Sequence, residues 1–102
     1  MQFHCTTERL GDVVVVTPFG DVDQDTAPEL LHALASAIGE AGPNVVEVEM
    51  RHVTFMDSSG VGALLAANRL AGSSGATLRV RNPVPAVRMV LDITNVWQLL
   101  GS

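Results

Sequence analysis

The 102-residue sequence contains no lysine and only one cysteine. Without lysine there is neither a Schiff-base amine nor a P-loop cation, and most nucleic-acid readings lose the basic patch they need. No nucleic-acid partner is expected. Cys5 stands alone, which excludes a disulfide framework and fits a reducing cytoplasm. It reads as a small packed residue rather than a redox or catalytic thiol. No uninterrupted apolar run approaches the roughly 18 residues of a membrane span, so no membrane insertion is expected. No charged N-terminus precedes an apolar stretch as a signal peptide would require. Internal repeats, linkers and low-complexity tracts are missing too. The expectation is one domain over residues 1–102, located in the cytoplasm.

What is present is apolar residues and acid. An apolar fraction of 47% and a mean hydropathy of +0.30 argue for a packed globule and against disorder. Net charge is −5 and unevenly spread. Residues 1–57 carry ten acids against two arginines, a balance of −8; residues 58–102 carry four arginines against Asp92, a balance of +3. An acidic front end points to a partner with a basic docking surface, because complementary fields speed encounter. Each acid taken singly is as readily an ordinary solvated charge.

In chain order, residues 2–8 alternate as an edge strand, Leu10-Gly11-Asp12 marks a turn, and Val13 to Val16 form a second strand. Pro18-Phe19-Gly20 is expected to end that strand and open an acidic loop through Asp25. Thr26 and Glu29 then fit a capping box with Pro28 in the first turn. Leu30, Leu34, Ala37 and Ile38 make an amphipathic helix running to about Glu40, stopped by Gly42-Pro43. Asp21, Asp23 and Asp25 alternate, but the loop lacks the glycine and distal glutamate of a calcium-binding EF-hand, so no metal is expected.

Residues 45–50 form a strand with Val46, Val48 and Met50 on one face and Glu47 and Glu49 on the other. Two carboxylates on one face predict a face open to water. Arg79 and Arg81 on a later strand supply the complement if the strands are neighbours. A solvated strand face offers no reason for shifted acidity, so the glutamates are not read as a catalytic pair. Asn82-Pro83 is expected to start a short helix with Val84, Val87, Val90 and Leu91 inward. Residues 95–100 close the chain as a short strand or docked turn, with Trp97 in core or edge packing.

The stretch Val53-Thr54-Phe55-Met56-Asp57-Ser58-Ser59-Gly60-Val61-Gly62 reads as strand, polar turn and helix start. Asp57 or Ser58 can serve as N-cap. Gly60 and Gly62 would let another surface or a phosphate approach the backbone. The carboxyl end of a strand feeding a helix is also where open α/β sheets place their sites. On local pattern alone, D-S-S-G reads first as a good cap. The helix that follows runs from Val61 to Ala71, with Asn68 as a polar residue on its apolar stripe and Arg69 about three turns beyond Ser58. Gly72-Ser73-Ser74-Gly75 ends it. An enzymatic reading would make Ser58 a nucleophile, but the G-x-S-x-G elbow is missing and nothing places His4, His32 or His52 beside it.

Set between strand and helix, Phe55-Met56-Asp57-Ser58-Ser59-Gly60-Val61-Gly62 resembles the STAS domain of bacterial anti-sigma factor antagonists. Gly20-Asp21-Val22-Asp23 followed by Ala27-Pro28-Glu29-Leu30 is similar to the same family, and the resemblance spans essentially the whole chain. It implies an α/β fold: a mixed four- to five-stranded sheet with helices mainly on one face and an N-terminal β-hairpin. It also implies partner switching rather than catalysis. In such families the unmodified antagonist binds an anti-sigma factor that is also a serine kinase of the GHKL type, which frees a sigma factor. The kinase phosphorylates the hydroxyl after the motif's Asp and releases the product; a PP2C-type phosphatase resets it. On this sequence the phosphoacceptor is Ser58, with Ser59 as fallback. The implied partner-binding surface comprises Asp21, Asp23, Asp57, Ser58, Ser59, Gly60 and Gly62, with no cofactor. Serine rather than threonine follows Ser58, which leaves acceptor choice open. Two other binding readings are a STAS-like accessory subunit docking on an ABC-type transporter ATPase and a small anion-binding module at the helix start.

Overall fold

The computed structural model describes residues 2–42 and 44–101. Five strands form a sheet in the order β1-β2-β3-β5, with β4 also pairing β2. Strands β1 (His4–Leu10) and β2 (Val13–Val22) make the expected N-terminal hairpin. Gly11, at φ 64°, supplies the left-handed turn between them. All other strand pairings are parallel.

Strand β2 is longer than its sequence suggests. Pro18-Phe19-Gly20 does not end it; the strand runs on to Val22 and changes partner on the way. Its first half pairs β3 (Val45–Glu49) from Val13 to Val16, and its last three residues pair β4 (Val53–Met56). Pro18 lies between the two parallel ladders, so its missing N–H interrupts neither. The switch is made at a bulge between Gly20 and Asp21, where Gly20 adopts φ 114° and donates its N–H to the His52 carbonyl at 3.0 Å. The acidic loop is correspondingly shorter, because Asp21 and Val22 belong to the strand.

Helix α1 (Ala27–Ala41) begins as placed, but the Thr26–Glu29 capping box does not form. Asp23 does that work three residues earlier: its Oδ1 accepts the amides of Asp25 at 2.9 Å and Thr26 at 3.1 Å. Thr26 Oγ1 in return accepts the Asp23 amide at 2.9 Å and donates to the Asp21 carbonyl at 2.7 Å. The reciprocal pair lies on the loop itself because Asp23 and Thr26 have the required spacing. Gly42, at φ 48°, closes the helix as a left-handed C-cap; Pro43 lies outside the described residues.

Helix α2 (Ser58–Ser73) starts three residues earlier than expected and leads into β5 (Thr77–Arg81). Helices α3 (Pro85–Ile93) and α4 (Val96–Leu100) complete the chain. One expectation fails here. Pro85, not Pro83, opens α3, because Asn82 sits at φ 55° with its side-chain amide donating to Glu49 Oε1 at 2.9 Å. Its left-handed backbone departs from the extended dihedrals typical of an N-cap, and Val84, at φ −66° and ψ 159°, takes that place instead. Of the two alternatives for residues 96–100, the docked turn holds and the strand does not: they form a helical turn whose end is tied to β5 by a bridge between Gly101 and Val80.

The core is continuous. Val14, Val16, Val46, Val48, Leu78 and Val80 from the sheet meet Leu30 and Leu34 of α1, Leu64 and Ala67 of α2, and Val87 and Leu91 of α3. Each fully buried leucine contributes about 1.5–3 kcal/mol of transfer free energy. Small buried residues on α2, Gly60, Ala63, Ala67 and Ala71, let it approach its neighbours closely.

The opposite face corrects another expectation. Glu47 is not open to water: it is 8% exposed, and its Oε2 accepts from Arg81 at 3.1 Å and Arg79 at 3.4 Å. The register pairs Glu47 with Arg79 and Glu49 with Arg81, so the two strands are neighbours as supposed. The long arginine stems lie over the carboxylate and remove it from solvent. Glu49 bonds instead to Asn82 and to the Arg51 amide at 3.1 Å.

Candidate functional site

The parallel pairing of Val22 with Met56 sets the ends of β2 and β4 side by side. The Asp57 amide then donates to the Val22 carbonyl at 3.3 Å, fixing the turn into α2 against the turn into α1. Two segments 36 residues apart, Asp21–Asp23 and Asp57–Ser59, are thereby brought to one end of the sheet.

Asp57 is the N-cap of α2. Its extended backbone turns the carboxylate back, and Oδ1 accepts the Ser59 amide at 2.8 Å. The Asp57 carbonyl takes the Gly60 and Val61 amides at 3.1 and 3.2 Å. Ser58 therefore occupies the first helical position with its side chain exposed, while Ser59 is half-buried. Of the two hydroxyls, the one first in the motif is the more reachable.

The two glycines differ. Gly60 is buried, and a Cβ there would come within 2.7 Å of Met56 Cγ and 2.9 Å of Val22 Cγ1. Its bareness serves the internal packing of α2 onto the strand ends. Gly62 is exposed and a Cβ would meet nothing within 4 Å. It opens outward instead, into a shallow apolar groove of about 320 Å³ between Ala27, Pro28 and Leu31 of α1 and Ser59, Gly62 and Ala63 of α2.

On the other side of the motif lies a cleft of about 300 Å³ bounded by Phe3, Gly20, Asp21, Asp23, Thr26 and Thr54. Asp21 is exposed and accepts a hydrogen bond from the Thr54 hydroxyl. Asp23 is half-buried and spends Oδ1 on the loop amides. Phe55, level with Asp21 in the β2–β4 register, is 49% exposed. Arg69, in helical register with Ser58, lies eleven residues on, about 16 Å along the axis, and is not part of this cluster. His4 and His52 both stack on Phe19, at 4.6 Å between ring centroids, and are committed there. Among the described residues no three His, Cys, Asp or Glu side chains are grouped as metal ligands would be.

Comparison with known proteins adds the family. Residues 5–101 match the family described as "Mlab, STAS domain". This chain belongs to the STAS domain family. The STAS chain is 24% identical over 100 residues to the anti-sigma F factor antagonist of Paenibacillus polymyxa, covering 98% of this chain and 86% of that protein. Its fold is similar to that of the anti-sigma factor antagonist SpoIIAA in its unphosphorylated form, with a TM-score of 0.81 at 24% identity over 97% of this chain and 88% of that one. The phosphorylated form of SpoIIAA, a Bacillus cell fate determinant, gives 0.72 at 23% identity, covering 97% and 91%. At these identities the structural likeness establishes the fold. Among the described residues, no helix of this STAS domain is long and apolar enough to cross a membrane.

Sequence reasoning missed three parts of the STAS surface: Thr54 as the partner of Asp21, the apolar groove between α1 and α2, and the exposure of Phe55. The first has no local signal, because the two residues are 33 apart. The groove has a local signal in the small residues Gly62 and Ala63 of α2, which line it.

Proposed function

We propose that this STAS domain is an anti-sigma factor antagonist whose binding is switched by phosphorylation of Ser58. The unmodified protein docks on an anti-sigma factor that is also a GHKL-type serine kinase, and a sigma factor is set free. The kinase transfers the γ-phosphoryl group of ATP to Ser58 Oγ: the new O–P bond forms as the bridging P–O bond to ADP breaks, and the hydroxyl proton leaves to solvent or a kinase base. A PP2C-type phosphatase hydrolyses the ester with water and returns the serine and inorganic phosphate.

The observation that carries this reading is the exposed Ser58 hydroxyl at the first position of α2, beside Asp57 and within one end of the sheet shared with Asp21 and Asp23. A phosphoryl group there adds roughly −1.5 to −2 charges. The helix N-terminus favours it by about 0.3–1 kcal/mol at such an exposed position, too little to remodel the fold. Against a docked partner the same group must be desolvated beside Asp57, and that cost governs release. The docking surface comprises Ser58, Ser59, Asp57, Gly62 and the acidic pair Asp21 and Asp23. Gly60 supports it from beneath.

The test uses the cognate kinase, ATP and intact mass. One phosphoryl group is expected on the wild-type protein and none on Ser58→Ala. Ser58→Ala should hold the kinase as the unmodified protein does, and Ser58→Asp should bind more weakly. Equal affinities for the two variants would remove Ser58 from the interface. A second reading, an accessory subunit on an ABC-type transporter ATPase, draws on the apolar groove beside Ser59 and Gly62, which offers docking area that needs no phosphoryl control. It predicts co-purification with the ATPase and no dependence on a serine kinase.

A further inference from the structure

Helix α3 is apolar on two opposite sides. Val87 and Leu91 face inward and are fully buried. On the outer side, Met89 is 62% and Ile93 74% exposed, the two most exposed large apolar side chains among the described residues. They stand four residues apart, on one stripe with exposed Ala86, where helical neighbours meet. A helix with apolar residues on both sides is ordinarily covered on both. Beside the stripe runs a charged flank: Arg88 Nε donates to Asp92 Oδ1 at 3.1 Å and Oδ2 at 3.2 Å, and the guanidinium lies 3.9 Å from the centroid of the Trp97 ring.

We infer that a second copy of this chain covers the stripe, through antiparallel pairing of α3 with α3 about a two-fold axis near Val90. The pattern is complementary to itself under that operation. Reversing the helix about Val90 sets small Ala86 within one residue of large Ile93, and Met89 within one residue of the edge of Val90. In an antiparallel pair each flank faces the same flank of the other helix, in reverse order. Arg88 then faces Asp92 of the second copy, and Asp92 faces Arg88. The internal ion pair uses only the Arg88 Nε, so both terminal amino groups remain to reach across, and a carboxylate has acceptor capacity for two such partners. Nine helical residues bury little area, so the dimer is weak and concentration-dependent. A two-fold contact of this kind is isologous and closes at two copies rather than growing into a filament.

Sedimentation velocity of the whole chain, from micromolar to millimolar concentration, tests the pairing. The wild-type protein should shift from monomer to dimer. Met89→Asp and Ile93→Asp, at positions exposed enough to leave the fold intact by circular dichroism, should each weaken self-association by about tenfold or more. Arg88→Asp and Asp92→Arg should each weaken it alone, since like charges then face one another. An equimolar mixture of those two variants should restore a mixed dimer. A wild-type protein that stays monomeric throughout overturns the inference. So does a dimer indifferent to Met89 and Ile93, or a mixture that associates no better than its components. A monomer in which Met89→Asp instead weakens kinase binding would assign the stripe to that partner and equally overturn it.

Discussion

Asp57 caps α2 through the amide of Ser59, at 2.8 Å, and by doing so leaves the serine between them facing solvent. Cap and exposed hydroxyl are neighbours with separate placements: one oxygen fixes the helix start, the next is offered outward. Asp57→Ala should cost about 1 kcal/mol of stability, as the loss of an N-cap does. That corresponds to a fall of about 4–8 °C in Tm for a domain near this size. Asp57→Asn keeps the acceptor oxygen and should recover most of the loss. If Asp57→Ala and Asp57→Asn melt together, the capping bond contributes nothing and the carboxylate's role is confined to the surface.

Gly60 is packed and Gly62 is open. Gly60→Ala puts a methyl within 2.9 Å of Val22 Cγ1, a branched side chain with no freedom to retreat, and within 2.7 Å of Met56 Cγ. The expected net loss is about 1–2 kcal/mol, overpacking offset in part by better helix propensity. Gly62→Ala meets nothing and should stabilise by about 0.5–1 kcal/mol through the unfolded chain. Urea midpoints moving in opposite directions would bear this out; two losses of equal size would mean that Gly62 is also packed.

The hairpin, the amphipathic helix α1 and the Asp57 cap were legible because each rests on local spacing; Glu47 facing Arg79 followed only on the condition that their strands are neighbours. What was not legible depends on contacts distant in sequence. Strand β2 crosses Pro18 and Gly20 because two different partners take up its two halves. Asn82 leaves the helix start because its side chain is drawn to Glu49, 33 residues away. The capping pair Asp23–Thr26 competes with Thr26–Glu29 on equal local terms, and the end of β2, where the Asp21 carbonyl accepts the Thr26 hydroxyl, decides between them. The site's composition was readable at Asp57 and Ser58; its second half, Asp21 with Thr54, required the β2–β4 register.

The Glu47 side chain sits buried beneath two arginine side chains that are themselves about half exposed. Removing the carboxylate would leave Arg79 and Arg81 side by side without their shared counter-charge, where Arg79 Nε already lacks a partner among the described residues. A fully buried pair broken on one side costs 3–5 kcal/mol. Water reaches these guanidinium groups, so Glu47→Ala should cost less, about 1–2 kcal/mol. The measurement is the urea midpoint at unchanged slope. A variant as stable as the wild type would mean that the arginines simply swing out to solvent.

Cys5 is the one thiol, half-buried on β1. Burial, and then the charge of Glu29, push its pKa from 9.0 up to about 11. At pH 8 the thiolate fraction is therefore about 100-fold below that of the same thiol in the unfolded chain. Native alkylation by iodoacetamide should be slower in proportion and should rise about tenfold per pH unit until pH 11 is approached. The same shift acts on stability. Below pH 9 both states hold the proton and Cys5 adds no slope; between pH 9 and 11 the unfolded chain loses it first, so stability falls as pH rises; above 11 the loss is complete. Cys5→Ser should flatten that alkaline slope, and Glu29→Gln should speed native labelling. Labelling at pH 8 that proceeds as fast in the native protein as in urea would show the thiol to be open to solvent, and the alkaline slope would then have to belong to another group.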